Sequence, residues 1–253
     1  LTPSCGQDPV SMHEEQGRPM IKGIIFDKDG TLFDFNATWG AWARGMLEAE
    51  TKDAPHMFDA LAGVLGYDTH ANRFRAGSVV IAATVGEVAD CIISVLPDLE
   101  RQALLGRMNA AAALVPQQEA LPLKPYFSQL GAAGFKLGLA TNDAEAPARA
   151  HLEKAGIIDL FDFVAGYDSG HGGKPAPGQL LAFCAQTGLS PADCMMVGDS
   201  THDLHAGRSA GMGTIGVLTG PAPASELAPF ADVILPNIGD IPAWLKSQKL
   251  TAL

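Results

Sequence analysis

The chain has 253 residues, 47% of them hydrophobic and 18% charged, with a formal net charge of −11. That length suits one core domain carrying an insertion, and the apolar content excludes global disorder. The acidic balance excludes recognition of nucleic acid or anionic membranes through the overall field, so an anionic substrate needs local devices: a metal ion, a lysine, backbone N–H groups.

Residues 1–19, LTPSCGQDPVSMHEEQGRP, are polar and rich in Pro and Gly. They lack the basic start and apolar stretch of a secretion signal and read as a flexible extension. Cys5, Cys91, Cys184 and Cys194 form no CxxC pair, which reads as free thiols of a cytoplasmic protein, with Cys184 and Cys194 as buried small apolar residues. No apolar run approaches the roughly 18–20 residues of a membrane span.

From Ile21 the pattern is strand, turn, helix. The stretches IKGIIFD (21–27), FKLGLAT (135–141), FDFVAGYD (161–168), DCMMVGD (193–199), GTIGVLTG (213–220) and ADVILP (231–236) are short apolar runs. Several are apolar at consecutive positions, as in a sheet covered on both faces. Between them, 144–155 reads as a helix stopped by Gly156, and 175–187 as a helix from Pro175 to Gly188. The alternation predicts a Rossmann-like open parallel α/β sheet with helices on both faces.

Residues 35–118 interrupt that alternation. Trp39, Trp42, Ala43, Met46 and Leu47 share one helical face, as do Met57, Leu61, Val64 and Leu65. Val85, Val88, Ala89, Ile92, Ile93 and Leu96 form a third face, with Thr84 and Glu87 at capping-box spacing before it. Residues 99–115 are a fourth helix candidate. Four consecutive amphipathic helices predict an inserted helical bundle, with the Trp and Met residues as its core. The division expected is 1–19 as an extension, 20–34 with 119–253 as the core, and 35–118 as a helical cap. The Pro-rich segment 218–229 reads as a surface loop.

Sites in open α/β sheets form at the carboxyl ends of the strands. There the sequence places Asp27 and Asp29, then Thr141 and Asn142, then Lys174, then Asp199 with Ser200 and Asp203. Convergent acids and a lysine are poor choices for stability alone. A divalent cation relieves them, and Mg²⁺ prefers such oxygen ligands: Asp27, the backbone carbonyl of Asp29, and Asp199. Asp27 is then able to act as a nucleophile, and Asp29, offset by two residues, to protonate a leaving oxygen and later take a proton from water. Gly30 permits a turn that presents N–H groups to a phosphate. Thr141 and Lys174 clamp the transferring phosphoryl group.

In order, DKDGTL, ATND, GGKP and GDSTHD resemble the four motifs of the haloacid dehalogenase-like superfamily. The bundle between the first two motifs resembles the mobile cap of its phosphoglycolate-phosphatase-like branch. The resemblance implies Asp27 as nucleophile, Asp29 as acid/base, Thr141 and Lys174 as phosphoryl stabilisers, and Asp199 as a Mg²⁺ ligand. Asp203 matches the second acid of the fourth motif, with three roles open: outer-shell partner, alternative ligand, or holder of Lys174. An acid at position 29 favours phosphate-ester chemistry over dehalogenation or phosphonate cleavage. The expectation is a Mg²⁺-dependent phosphatase of a small-molecule phosphate monoester, monomeric or homodimeric, with no nucleic-acid or membrane partner. A sugar-phosphate mutase retains both aspartates, and a non-catalytic phosphate-binding protein on the same fold is the third reading.

Other polar residues receive quieter readings. Asn142 either caps the next helix or contacts phosphate. Lys28 points away from both aspartates in an extended chain, toward solvent or the cap. His202 and His205 are not expected to bind metal, His171 is not expected at the substrate, and Arg73 and Arg75 read as solvated surface residues.

Overall fold

In the computed structural model, residues 20–75, 77–81 and 83–251 are described. The expected extension 1–19, with Cys5, lies outside them. In chain order, β1 (Gly23–Phe26) leads into α1 (Phe35–Glu50), α2 (Phe58–Val64), a short hairpin of β2 (Tyr67–Asp68) and β3 (Arg73–Phe74), α3 (Val85–Val95) and α4 (Arg101–Leu114). Then come α5 (Leu123–Ala132), β4 (Lys136–Ala140), α6 (Glu145–Lys154), β5 (Phe163–Ala165), α7 (Gly178–Thr187) and β6 (Cys194–Gly198). The chain closes with α8 (Thr201–Ala210), β7 (Gly213–Val217), α9 (Ala224–Leu227), β8 (Val233–Leu235) and α10 (Ile241–Ser247).

Among the described residues, six strands pair in the order β5-β4-β1-β6-β7-β8, all parallel. Side chains alternate across the strands. Ile24 and Phe26 pack with α5, α6 and α10, whereas Ile25 packs with α7 and α8. Met195 and Val197 face the first layer, Cys194 and Met196 the second. Both faces are covered, which is why the strands read as continuous apolar runs. The chain moves outward from β1 to β4 and β5, then crosses to β6 on the other side. That reversal opens a crevice beyond the ends of β1, β4 and β6.

The insertion builds its own apolar cluster, from Phe35 to Val115. Trp39 and Trp42 meet edge to face, ring centroids 5.2 Å apart. The capping box at α3 is present, with Thr84 and Glu87 each accepting from the other's backbone N–H. The chain enters the bundle beside the place where it leaves: Asp34 N donates to Gln118 O and Ala120 N to Leu32 O.

Several expectations need correction. Val64, assigned to a buried face, is exposed, because α2 is only two turns long. The helix expected from Pro175 starts at Gly178. The segment 218–229 contains α9, whose Leu227 is fully buried. The β2–β3 hairpin, α5, α8 and α10 were not anticipated. Among the described residues, no helix is long and apolar enough to cross a membrane.

Candidate active site

The register of the central strands assembles the site. Phe26 aligns with Leu139 of β4 and Val197 of β6. The residues just past each strand therefore emerge together: Asp27, Thr141 and Asp199. Asp27 N donates to Val197 O at 2.8 Å, and Thr141 N to Ala165 O at 3.0 Å, so each is fixed by the sheet ladder.

Lys174 arrives from the loop after β5. Its Nζ lies 2.6 Å from Asp27 Oδ1 and 2.6 Å from Asp203 Oδ1. Its backbone is gripped by Asn142, which donates from Nδ2 to Lys174 O at 2.9 Å and accepts from Lys174 N at 2.8 Å. The Asn142 side chain thus positions the lysine loop rather than capping α6. Gln179 Nε2 donates to Thr141 O at 3.0 Å, tying α7 to the same edge.

Asp199 accepts from Thr31 Oγ1 at 3.2 Å. Gly30 has φ +83°, and a Cβ there would overlap the Asp199 carboxylate. Only glycine meets both demands at low cost. The Gly30 N–H donates to Phe33 O at 2.7 Å, so this group closes its own turn. A Cβ at Gly220 would also overlap Asp199. The glycines form a tight cradle around one carboxylate. Asp203 sits at the third helical position of α8, in a capping box with Ser200. The three-residue step from Ser200 to Asp203 carries that signal in the amino-acid sequence.

Oxygens of Asp27, Asp199 and Asp203 lie within 4.8 Å of one another, all buried. Burial, opposed by Lys174, raises the Asp27 pKa to about 7. Burial, then Asp27 and Asp203, push Asp199 well above the usual carboxylate range. Three crowded carboxylates against one ammonium leave an excess of negative charge, and the donors are all hard oxygens. This set fits a divalent cation such as Mg²⁺. The cluster includes Asp203, whose role the sequence leaves open. The Asp29 side chain lies outside it, engaged elsewhere.

Asp29 Oδ2 pairs with Lys28 at 2.6 Å, and Oδ1 is buried with no hydrogen-bond partner. Burial raises its pKa, with Lys28 opposing. Lys28 corrects the expectation in part. It reaches the bundle, one of the two placements expected, but it is fully buried rather than solvated and pairs with Asp29, which it was expected to avoid. It also meets Asp143 at 3.0 Å and His151 Nδ1 at 3.2 Å, and lies over the Trp39 ring at 5.5 Å. Burial alone would lower its pKa, but Asp143 and Asp29 outweigh that and hold it charged. Nothing in the local pattern marks Lys28 or His151, because their partners come from distant segments.

Asp27, Asp29, Thr141, Lys174, Asp199 and Asp203 line one cavity between the sheet edge and the bundle. His202 lines it too, while His205 stacks against Phe230. Arg73, Arg75 and His171 are exposed.

The model of the haloacid dehalogenase-like hydrolase family matches residues 21–211. The chain belongs to that family. It is 32% identical over 197 residues to a phosphoglycolate phosphatase of Psychrobacter arcticus, covering 78% of this chain and 83% of the relative. Its fold resembles a haloacid dehalogenase-family hydrolase of Deinococcus radiodurans solved with bound phosphate and sodium (TM-score 0.64, 21% identity, 93% of this chain and 99% of that one). It also resembles β-phosphoglucomutase of Clostridium difficile (TM-score 0.64, 20% identity, 91% and 97%). The last two likenesses concern the fold alone. The chain is thus an enzyme of the haloacid dehalogenase-like hydrolases, with a helical bundle inserted after β1.

Proposed function

We propose that this hydrolase is a Mg²⁺-dependent phosphatase that cleaves a small-molecule phosphate monoester through an aspartyl-phosphate on Asp27. One observation carries the reading: Asp27 and Asp29 line one cavity with Lys174, Thr141 and a buried acid cluster. The similarity to curated phosphatases supports it.

In the first half-reaction, Asp27 attacks phosphorus and forms an O–P bond as the bond to the alcohol oxygen breaks. Asp29, its pKa raised by burial, gives its proton to that oxygen. In the second, water attacks the phosphoryl group, Asp29 takes the water proton, and the Asp27–phosphorus bond breaks. Lys174 and the Thr141 hydroxyl bind phosphoryl oxygens and hold them in line. Asp27, Asp199 and the backbone carbonyl of Asp29 would hold Mg²⁺, with Asp203 beside them. A cation held there would neutralise charge on the phosphoryl oxygens and favour ionised Asp27. The bundle, 35–118, acts as a cap over the leaving alcohol, and 20–34 with 119–253 as the catalytic core. The reading places the enzyme in the cytoplasm.

The test is hydrolysis of p-nitrophenyl phosphate with Mg²⁺ and with excess chelator. The reading predicts turnover only with the metal. Equal rates in both would refute the metal dependence.

A further inference from the structure

We propose that the cavity accepts the phosphate ester of an uncharged, mainly apolar alcohol, in preference to one whose alcohol carries a carboxylate or a second phosphate. This rests on the phosphatase reading and names its substrate class. The phosphoryl end of the cavity is polar: Asp27, Asp29, Thr141 and Lys174. The wall facing it is of opposite character. Phe35, Trp39 and Trp42 of α1, Val88 of α3, and Met108 and Ala112 of α4 line it. A leaving alcohol departing from phosphorus lies against these side chains.

The cations of the bundle are all placed elsewhere. Arg44 bonds to Asn72 and pairs with Glu48, Arg101 pairs with Asp90, and Arg107 with Glu50. Lys52, Arg73 and Arg75 are exposed. The buried lysines near the cavity are committed as well: Lys174 to Asp27 and Asp203, Lys28 to Asp29 and Asp143. His202, at the start of α8, lines the core side of the cavity and not the bundle wall. A carboxylate on the alcohol would lose its hydration against aromatic and aliphatic groups, with no lysine or arginine of the bundle to meet it. It would also approach the acid cluster. An apolar alcohol gains from the same contacts by leaving water.

A polar handle is also present. Asn109, half-buried, lines the cavity among the apolar side chains. Its neutral amide would donate to an ether, hydroxyl or carbonyl oxygen on the substrate. The ligand chemistry is therefore a monophosphate on an aryl or alkyl body that carries a neutral acceptor.

The experiment compares kcat/KM of the purified Mg²⁺-loaded enzyme for p-nitrophenyl phosphate, benzyl phosphate, n-hexyl phosphate, 2-phosphoglycolate and a hexose bisphosphate. Benzyl and hexyl phosphate are expected to exceed 2-phosphoglycolate and the bisphosphate by about 10-fold or more, the scale on which pocket contacts discriminate. Asn109→Lys, checked for folding by circular dichroism, adds a cation to this wall and is expected to shift the ratio several-fold toward 2-phosphoglycolate. If the wild-type enzyme hydrolyses 2-phosphoglycolate as well as benzyl phosphate, or better, the inference is overturned while the phosphatase reading stands. If no ester is hydrolysed, p-nitrophenyl phosphate included, the phosphatase reading fails and this inference falls with it.

Discussion

Lys28 Nζ lies 3.2 Å from Nδ1 of His151, and both residues are fully buried. Asp143 and Asp29 hold the lysine charged, so its Nζ–H donates a hydrogen bond to Nδ1 and the imidazole is neutral. The other ring nitrogen then donates to Ala112 O at 2.8 Å, on α4 of the bundle. A continuous chain of contacts runs from Asp29 through Lys28 and His151 to the inserted bundle.

Replacing Lys28 tests its share of that chain. Lys28→Met leaves Asp29 and Asp143 without their buried cation, and breaking one side of a buried pair costs about 3–5 kcal/mol. Urea denaturation should show a loss on that scale. Asp29 also loses its Oδ2 partner, so activity should fall most for esters with poor leaving groups, which need protonation, and least for p-nitrophenyl phosphate. A uniform fall across leaving groups would contradict a positioning role for Lys28.

His151 predicts a pH dependence of stability. Burial, then Lys28, lower its pKa from 6.5 to about 4. Asp29 and Lys154 are the other charged groups acting on it, with opposite signs. A depressed folded pKa means that the unfolded chain binds the proton first, so the stability tied to neutral His151 is complete above pH 6.5 and drains as pH falls toward 4. The acid carboxylates with raised pKa run the other way, so the readout is the difference between wild type and His151→Gln. That difference should shrink from pH 7 to pH 4. A difference independent of pH would refute it.

The acid cluster predicts opposite effects with and without metal. Asp199 is crowded by Asp27 and Asp203. Asp199→Asn removes one of three crowded, buried carboxyl groups, so the metal-free variant should melt at or above the wild-type temperature. Mg²⁺ at about 100 times its Kd should stabilise the wild type by about 2.7 kcal/mol and the variant hardly at all. Thermal scans with and without Mg²⁺ decide, and an equal metal shift in both proteins would place the ion elsewhere.

Gly30→Ala should damage the site from the turn. The positive φ of 83° is strained for alanine, and the new methyl overlaps Asp199. The strain is about 1–3 kcal/mol. The metal-induced thermal shift should also fall, because Asp199 must move. Retention of both stability and metal response would show that the turn relaxes freely.

The strands were readable because they are buried on both faces: Ile24, Ile25 and Phe26 are apolar in succession, two toward one helix layer and one toward the other. Asp27, Lys174 and Asp199 were readable because each ends a strand or loop at one sheet edge, where an acid or lysine has no packing value, and Thr141 only through its place among them. Lys28 was not. Its surroundings come from residues far along the chain, Asp143 and His151, which local alternation does not encode. The start of α7 was misplaced because Pro175 reads as a first helical residue, whereas Asn142 holds the preceding backbone in the lysine loop. Asp203 was ambiguous by sequence, since the same residue caps α8, holds Lys174 and joins the acid cluster.

The most direct test of the central claim is to quench the enzyme during turnover of p-nitrophenyl phosphate with Mg²⁺ and map the phosphoryl adduct by peptide mass spectrometry. The account predicts one acid-stable, base-labile phosphoryl group on the peptide containing Asp27, absent in Asp27→Asn, which should have lost activity. Unimpaired hydrolysis by Asp27→Asn, or an adduct on another residue, would contradict it.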